Sequence, residues 1–373
     1  MFKKFILFLL LPAVGSAQSL TLSIDNSTAG NGYSTYRLGE SNVTFSRNSI
    51  RFGEIRAEFS DFMTFGVTPD LTSLGILQNT VDGAKAYVLD AAGDTLAAYP
   101  TISLNYDDPS LAIYPLNSGA ALIRNNIANF TLYNSLGTIV SSGSGSSQSE
   151  EGESISEVAM DANGKTILIY VPKIKQNGGG AVGSKANLLL DNNSTESIFY
   201  SDSREIAYGG VADNGQFVVL ITAAAGTDDR VRILDRYGND LNTITTDEDL
   251  SAAELTSDGR FIMVRSSSRV LVFSTMGGER LGSTSFRSTL LTARYFPEEG
   301  IILGITGNRV QNTEVASEIE FHAIHIERRE IARRELDGGL GVSPKIGLIL
   351  ERTGAGRYRM LGASKVITLH ASF

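Results

Sequence analysis

Short apolar runs alternate with turn-forming residues along most of the chain. Ile167-Leu-Ile-Tyr170, Phe217-Val-Val-Leu-Ile221 and Phe261-Ile-Met-Val264 are continuous, rich in β-formers and too short for buried helices, which predicts strands packed on both faces. Each follows an acidic or amide residue and a glycine: Asp161-Ala-Asn-Gly164, Ala212-Asp-Asn-Gly215 and Thr256-Ser-Asp-Gly259. Pro297-Glu-Glu-Gly300 precedes Ile301-Ile-Leu-Gly-Ile305 in the same way. Such turns supply the positive φ that tight hairpins demand. Weaker copies stand at Thr68-Pro-Asp70, Asp107-Asp-Pro109 and Arg352-Thr-Gly-Ala-Gly356. A second turn follows each long run: Leu89-Asp-Ala-Ala-Gly93, Leu132-Tyr-Asn-Ser-Leu-Gly137, Ile233-Leu-Asp-Arg-Tyr-Gly238 and Val272-Phe-Ser-Thr-Met-Gly277, with a looser copy over Ala323–Arg329.

With Asp70, Pro109, Gly164, Gly215, Gly259, Gly300 and Gly356 as markers, the intervals are 39, 55, 51, 44, 41 and 56 residues. Four short strands per repeat of this length fit the blades of an all-β propeller. The expectation is seven four-stranded blades, with six or eight as alternatives, occupying 61–373 after an N-terminal extension over 18–60. The last repeat holds three strands, near 345–350, 357–362 and 365–371, before the chain stops. An open edge there invites aggregation, so an N-terminal strand is expected to complete the last blade. Ser49–Phe59 is the first candidate and Leu20–Ile24 the rival. The Asp-Gly turns and the Leu-x-Asp-x-x-Gly-like turns resemble those of bacterial secreted seven-bladed β-propellers of the tryptophan-aspartate-repeat and YVTN type, over roughly 61–373.

Composition narrows the function classes. The 373 residues carry 32 Lys and Arg against 41 Asp and Glu, a net charge of −9, so no basic face for general nucleic-acid binding is expected. Cysteine is absent, which removes disulfides, thiol catalysis and thiolate metal sites. Lys3 and Lys4, the apolar run Phe5–Leu11 and the small residues Gly15-Ser-Ala17 read as a secretory signal over 1–17, too short to span a bilayer. The mature protein is therefore expected in the periplasm or outside the cell, with no membrane insertion.

Candidate chemistry is sparse. His322 and His325 stand three apart on an expected strand, so they face opposite sides and do not chelate one metal; structural roles are expected for both and for His370. Asp90, Asp161, Asp213, Asp235 and Asp258 recur in turns, where a carboxylate caps backbone N–H groups. Asp191–Glu196 and Asp228-Asp229 offer oxygen ligands but lack EF-hand spacing, and neither a metal nor a cofactor is expected. Turns between strands one and two, and between three and four, are tight. The longer segments 141–154, 172–185, 223–229 and 306–317 fall on the opposite face, where binding residues usually sit. Lys173, Lys175, Asp228, Asp229 and Asn312 are the binding candidates there. The first functional reading is a non-catalytic scaffold for a protein or small-molecule ligand. The alternative is a hydrolase, lyase or quinoprotein-like enzyme working in the central channel.

Overall fold

A computed structural model describes residues 21–27, 34–38, 41–45, 49–52 and 57–60. It also describes 62–372 apart from 102–103, 105–107, 109, 127–128, 145–155, 173–183, 191–193, 310–314, 343–346 and 363–364. The described residues are all-β, and none lies in a helix long and apolar enough to cross a membrane. The chain is a β-propeller of antiparallel four-stranded meanders. In chain order, blade 1 is built within 34–60, blade 2 within 62–100, blade 3 within 112–144 and blade 4 within 157–201. Blades 5, 6 and 7 follow within 205–246, 252–285 and 290–336. Blade 8 combines Ile349–Gly354, Arg357–Gly362 and Lys365–Ser372 with Thr21–Ser27. Seven of these sheets have four strands; blade 7 adds a short fifth, Leu340–Gly341, on its third strand.

The seven repeats counted in the sequence each become a blade, and 34–60, expected as an extension, adds another. That segment lacks an Asp-Gly marker and a continuous apolar run. Its strands instead alternate, and Val43 and Ile50 are fully buried among Leu74, Ile76 and Leu361 of the flanking blades. The marker Asp107-Asp-Pro109 is displaced as well. Asp108 accepts from the Ser110 amide at 2.8 Å in the connection before blade 3, and that blade's first turn is Leu116–Gly119, closed by Gly119 N–H on Leu116 O at 2.9 Å.

The N-terminus closes the ring as expected, through Thr21–Ser27 rather than Ser49–Phe59. Pairing runs from Thr21 opposite Ser372 to Ser27 opposite Ile367. Leu22 is 3% exposed in the core between blades 7 and 8, and its carbonyl accepts from Arg334 Nε at 3.0 Å. The Ser49–Phe52 and Ala57–Ser60 strands pair with each other inside blade 1, and neither pairs with a strand of blade 8.

Apolar clusters fill each seam between neighbouring blades, from Leu116, Phe130 and Met160 between blades 3 and 4 to Val231, Ile262 and Leu271 between blades 5 and 6. Burying each such side chain contributes roughly 1.5–3 kcal/mol before chain entropy is set against it. On the tight-turn face, polar turn residues join the same neighbours. Asn117 of blade 3 donates to Asp70 Oδ2 at 2.8 Å and accepts from the Thr72 and Ser73 hydroxyls of blade 2, each at 2.8 Å. Its amide donates to Ala162 O of blade 4 at 2.9 Å. Thr166 Oγ1 donates to Gly215 O at 2.8 Å, and Asn214 donates to Ser257 O. A belt of side-chain and backbone hydrogen bonds thus links blades 2 through 6 at the turn where each inner strand leaves the axis.

Candidate axial site

The first strand of each blade is innermost, so its residues line the axis. Pro69 of blade 2 and Glu254 of blade 6, which stand opposite each other in a ring of eight, line one cleft. That cleft is therefore the central channel. Its volume is ≈270 Å³, and an adjoining cleft of ≈280 Å³ opens among Ser257, Pro297, Glu298 and Arg352 on the tight-turn face. Glu254, Leu255, Met263 and Arg294 line both, so the Glu254–Arg294 pair is the partition between them.

Arg294, on the inner strand Leu290–Phe296 of blade 7, is the hub. Its Nε lies 2.9 Å from Glu254 Oε1 on the inner strand of blade 6. Its Nη2 lies 3.2 Å from Asp213 Oδ2, in the turn after the inner strand of blade 5. Its Nη1 donates to Leu350 O of blade 8 at 3.1 Å. One guanidinium thus ties four consecutive blades, a use suited to its planar fork of donors.

The Glu254 side chain is 39% exposed, in a cleft lined by residues of blades 5, 6 and 7. Burial is the main influence on its carboxyl and raises its pKa; Asp213 adds to the rise, while Arg294 and Arg265 oppose it. Tyr208, on the inner strand of blade 5, is raised chiefly by burial, with Glu254 adding and Arg265 opposing. Arg265 ends the second strand of blade 6 and lines the same cleft. The result is a narrow, mixed-charge channel in which cations and carboxylates answer one another. Nearer the turns, Arg352 bonds Glu299 at 2.7 Å and Arg359 pairs with Glu351.

The sequence-derived candidates lie elsewhere. Lys173, Lys175 and Asn312 fall outside the described residues. Asp229 is buried and accepts from the Leu250 amide at 2.7 Å; burial first, then Asp249, raises its carboxyl, against that bond. It pins the connection between blades 5 and 6. Asp228 O accepts from Arg204 Nη2 at 2.9 Å, and the same nitrogen donates to Thr222 O at 2.6 Å. The segment 223–229, expected as a long loop, is a hairpin in which Ala224 pairs with Thr227.

The turn aspartates cap backbone as expected. Asp90 accepts from the Ala92 and Asp94 amides and Asp235 from those of Tyr237 and Asn239, all at 2.9 Å. Burial raises the Asp235 carboxyl, but the bond from Asn239 Nδ2 at 2.8 Å and these backbone bonds outweigh it and hold it below its ordinary range. Asp213 is the exception, since Asn214 caps that turn and leaves the aspartate to Arg294. The histidines stand away from the axis. His322 packs edge-on against Phe286 at 4.9 Å between ring centroids, between blades 6 and 7. Its Nε2 is 3.0 Å from Thr306 Oγ1 and 3.2 Å from Glu320 Oε2. Burial, helped by Arg333, lowers its pKa to about 4. Glu320 pulls the other way, but it is 31% exposed against 5% for the imidazole, so burial prevails. Among the described residues no three His, Asp or Glu are grouped to hold a metal ion.

No family model matches this chain, and no curated protein does. Solved propellers do match in structure. BamB from Moraxella catarrhalis is 14% identical, with a TM-score of 0.52 over 95% of this chain and all of that one. The Dos1 propeller is 12% identical, with a TM-score of 0.57 over 94% of this chain and 95% of its own. The C-terminal WD40 domain of Sif2 is 10% identical, with a TM-score of 0.57 over 95% and 99%. At these identities the likeness is one of fold, and it agrees with the tryptophan-aspartate-repeat resemblance of the turns.

Proposed function

We propose that the protein is a non-catalytic binding scaffold that receives a protein partner at the channel mouth on the tight-turn face. The observation that carries this reading is that the charges converging there are spent on one another. Arg294 is engaged by Glu254, Asp213 and Leu350, and Arg352 by Glu299. A network of this kind holds four blades rigid around an opening, and preorganised surfaces lose little freedom on binding. Each cleft also falls just short of the roughly 300–1,000 Å³ usual for small-molecule pockets, which favours insertion of a partner's side chain. Photo-crosslinking residues placed at the exposed Ser257 and Glu298, and at the exposed Ser267 on the opposite face, test it in native extracts. Adducts at the first two positions and none at the third are expected; adducts at Ser267 alone would move the interface to the other face.

Catalysis in the channel is the second reading, and Glu254 favours it, because a carboxyl raised by burial can hold a proton for donation. It requires a hydrolytic activity that Glu254→Gln abolishes in a folded protein. Residues 1–17 are read as a cleaved leader that sends the scaffold out of the cytoplasm. Sequencing the N-terminus of the mature protein should return Gln18; an intact Met1 would refute the leader.

A further inference from the structure

A groove of ≈430 Å³ runs along the rim between blades 6 and 7, apart from the axial site. One wall is the outer strand of blade 6, Arg280–Ser285, of which the five consecutive residues Arg280 to Thr284 line the groove. It is the outermost strand of its blade, which leaves one backbone edge unpaired at the rim. This strand pairs with Arg269–Ser274 on its inner side and with no other described strand. The opposite wall is a row of isoleucines across blade 7. Ile302 stands opposite Ile324, and Ile324 opposite Ile331; they are 1%, 6% and 50% exposed. Gly282 lies close against Ile326, whose Cγ2 a Cβ there would meet at 2.5 Å, and Ile331 at the outer end of the row stays open to solvent. Leu281 adds a further exposed apolar side chain at the lip. The charged residues that line the groove, apart from the buried His325, are Arg280 and Arg329. Both are exposed, and neither guanidinium bonds or pairs with a described residue. On a chain of net charge −9, that local sign selects an anionic partner.

We infer that this groove takes an extended segment of another protein, apolar at its centre and acidic at its ends, as an added strand. Its backbone bonds to the free edge of Arg280–Ser285. Its apolar side chains cover Ile331, the exposed end of the isoleucine row, and its carboxylates meet Arg280 and Arg329. Main-chain bonds then give affinity and alternate side chains give specificity. The site is distinct from the channel mouth and stands whether or not the mouth binds a partner.

The test titrates two labelled peptides, EVLVDE and KVLVKK, into the full chain by fluorescence anisotropy. Saturable binding of the acidic peptide alone is expected, with slowed amide exchange confined to 280–285. Arg280→Glu should weaken the acidic peptide by about tenfold and confer binding of the basic one, and Leu281→Asp should weaken it as well. Both positions are exposed, so melting of each variant with the parent certifies the fold. Absence of saturation up to about 1 mM acidic peptide, the ceiling of weak specific affinity, would overturn the inference. So would equal binding of both peptides or protection elsewhere on the ring. Self-association abolished by Arg280→Glu and Leu281→Asp would assign the groove to a second copy and equally refute it.

Discussion

Replacing Arg294 by Met keeps the bulk of the side chain and removes its charge and its donors. Glu254, Asp213 and Leu350 O then lose their common partner at 2.9, 3.2 and 3.1 Å. At such separations the gross Coulomb attraction of one pair is about 5 kcal/mol in a partly screened site. Arg294 is 33% exposed, Glu254 39% and Asp213 60%, however, so each ion pair is discounted to about 1 kcal/mol or less. A carbonyl left without its donor adds about 1 kcal/mol. The expected loss is about 2 kcal/mol, or about 3 °C in Tm for a chain of this length. The pH dependence separates this account from simple loss of packing. Burial already raises the Glu254 pKa above 4.5, and removing Arg294 raises it further. A carboxyl raised in the folded state destabilises the fold where it is ionised and stops doing so as pH falls through the folded value. The gap between Arg294→Met and the parent should therefore be widest at pH 8 and shrink toward pH 5. Glu254→Gln should cost about 1 kcal/mol or less at pH 8, because it removes the buried charge together with the pair. Urea titrations of both single variants and the double variant at the two pH values give the coupling directly. Equal gaps at pH 8 and pH 5, or an additive double variant, would show that Arg294 serves as packing and not as an ionic hub.

Other expectations follow from single contacts. The His322 ring should titrate near pH 4 by NMR instead of near 6.5. As the depressed partner it withdraws about 3 kcal/mol of stability as pH falls from 6.5 through 4, and His322→Gln should flatten that part of the pH profile; a mid-point near 6.5 would contradict the burial argument. Gly259 has φ +68°, and a Cβ there would lie 2.0 Å from Phe217 Cε2, so Gly259→Ala should lose about 2–3 kcal/mol in urea unfolding. A loss below about 0.5 kcal/mol would mean the turn relaxes freely. Removing residues 18–27 takes away the strand paired with Lys365–Ser372 and should yield a protein that melts lower and aggregates. A monomer with the parental Tm would show that the ring does not need its clasp. Asn117→Ala, which strips three side-chain bonds between blades 2 and 3, should cost about 1–3 kcal/mol, read in the same denaturant assay.

What the sequence revealed and what it hid divide along physical lines. Turn chemistry is local, so Gly164, Gly215, Gly259 and Gly300 marked their hairpins correctly, each at positive φ. Closure by the N-terminus followed from a three-stranded last repeat. The choice between Ser49–Phe59 and Leu20–Ile24 did not, because both alternate apolar and polar residues and only the pairing of 34–60 with itself decides it. The axial cluster was hidden for a related reason. Asp213 looks like its neighbours in other turns, and only the presence of Asn214 beside it frees the carboxylate for Arg294. A signal for the rest was present. Glu254 and Arg294 each interrupt a short inner strand with a charge, in Ala252-Ala-Glu-Leu255 and Leu290-Leu-Thr-Ala-Arg-Tyr-Phe296. A charge on the innermost strand of a ring has only the channel or a partner across a seam to meet. That constraint belongs to the closed ring and cannot be read before the ring is known.

The ring is held by different means on its two sides, and this bears on where a partner can dock. Blades 2, 3 and 4 are stitched by uncharged donors and acceptors around Asn117, with Asp70 the one carboxylate; burial raises its pKa, but hydrogen bonds from Thr68, Asn117 and Thr72 outweigh it and hold it below the ordinary value. Blades 5 to 8 are stitched by Arg294 and its carboxylates. Hydrogen bonds among neutral groups are indifferent to salt, whereas ion pairs in a water-filled channel are not. Rising ionic strength should therefore loosen one half of the mouth while leaving the other fixed. A partner that reads the charged half would lose affinity with salt twice, through its own contacts and through the loosening of Arg294. A partner on the rim groove, supported by main-chain bonds and the isoleucine row, would lose only what Arg280 and Arg329 contribute. The slope of binding against salt thus distinguishes the two faces for any partner once one is in hand.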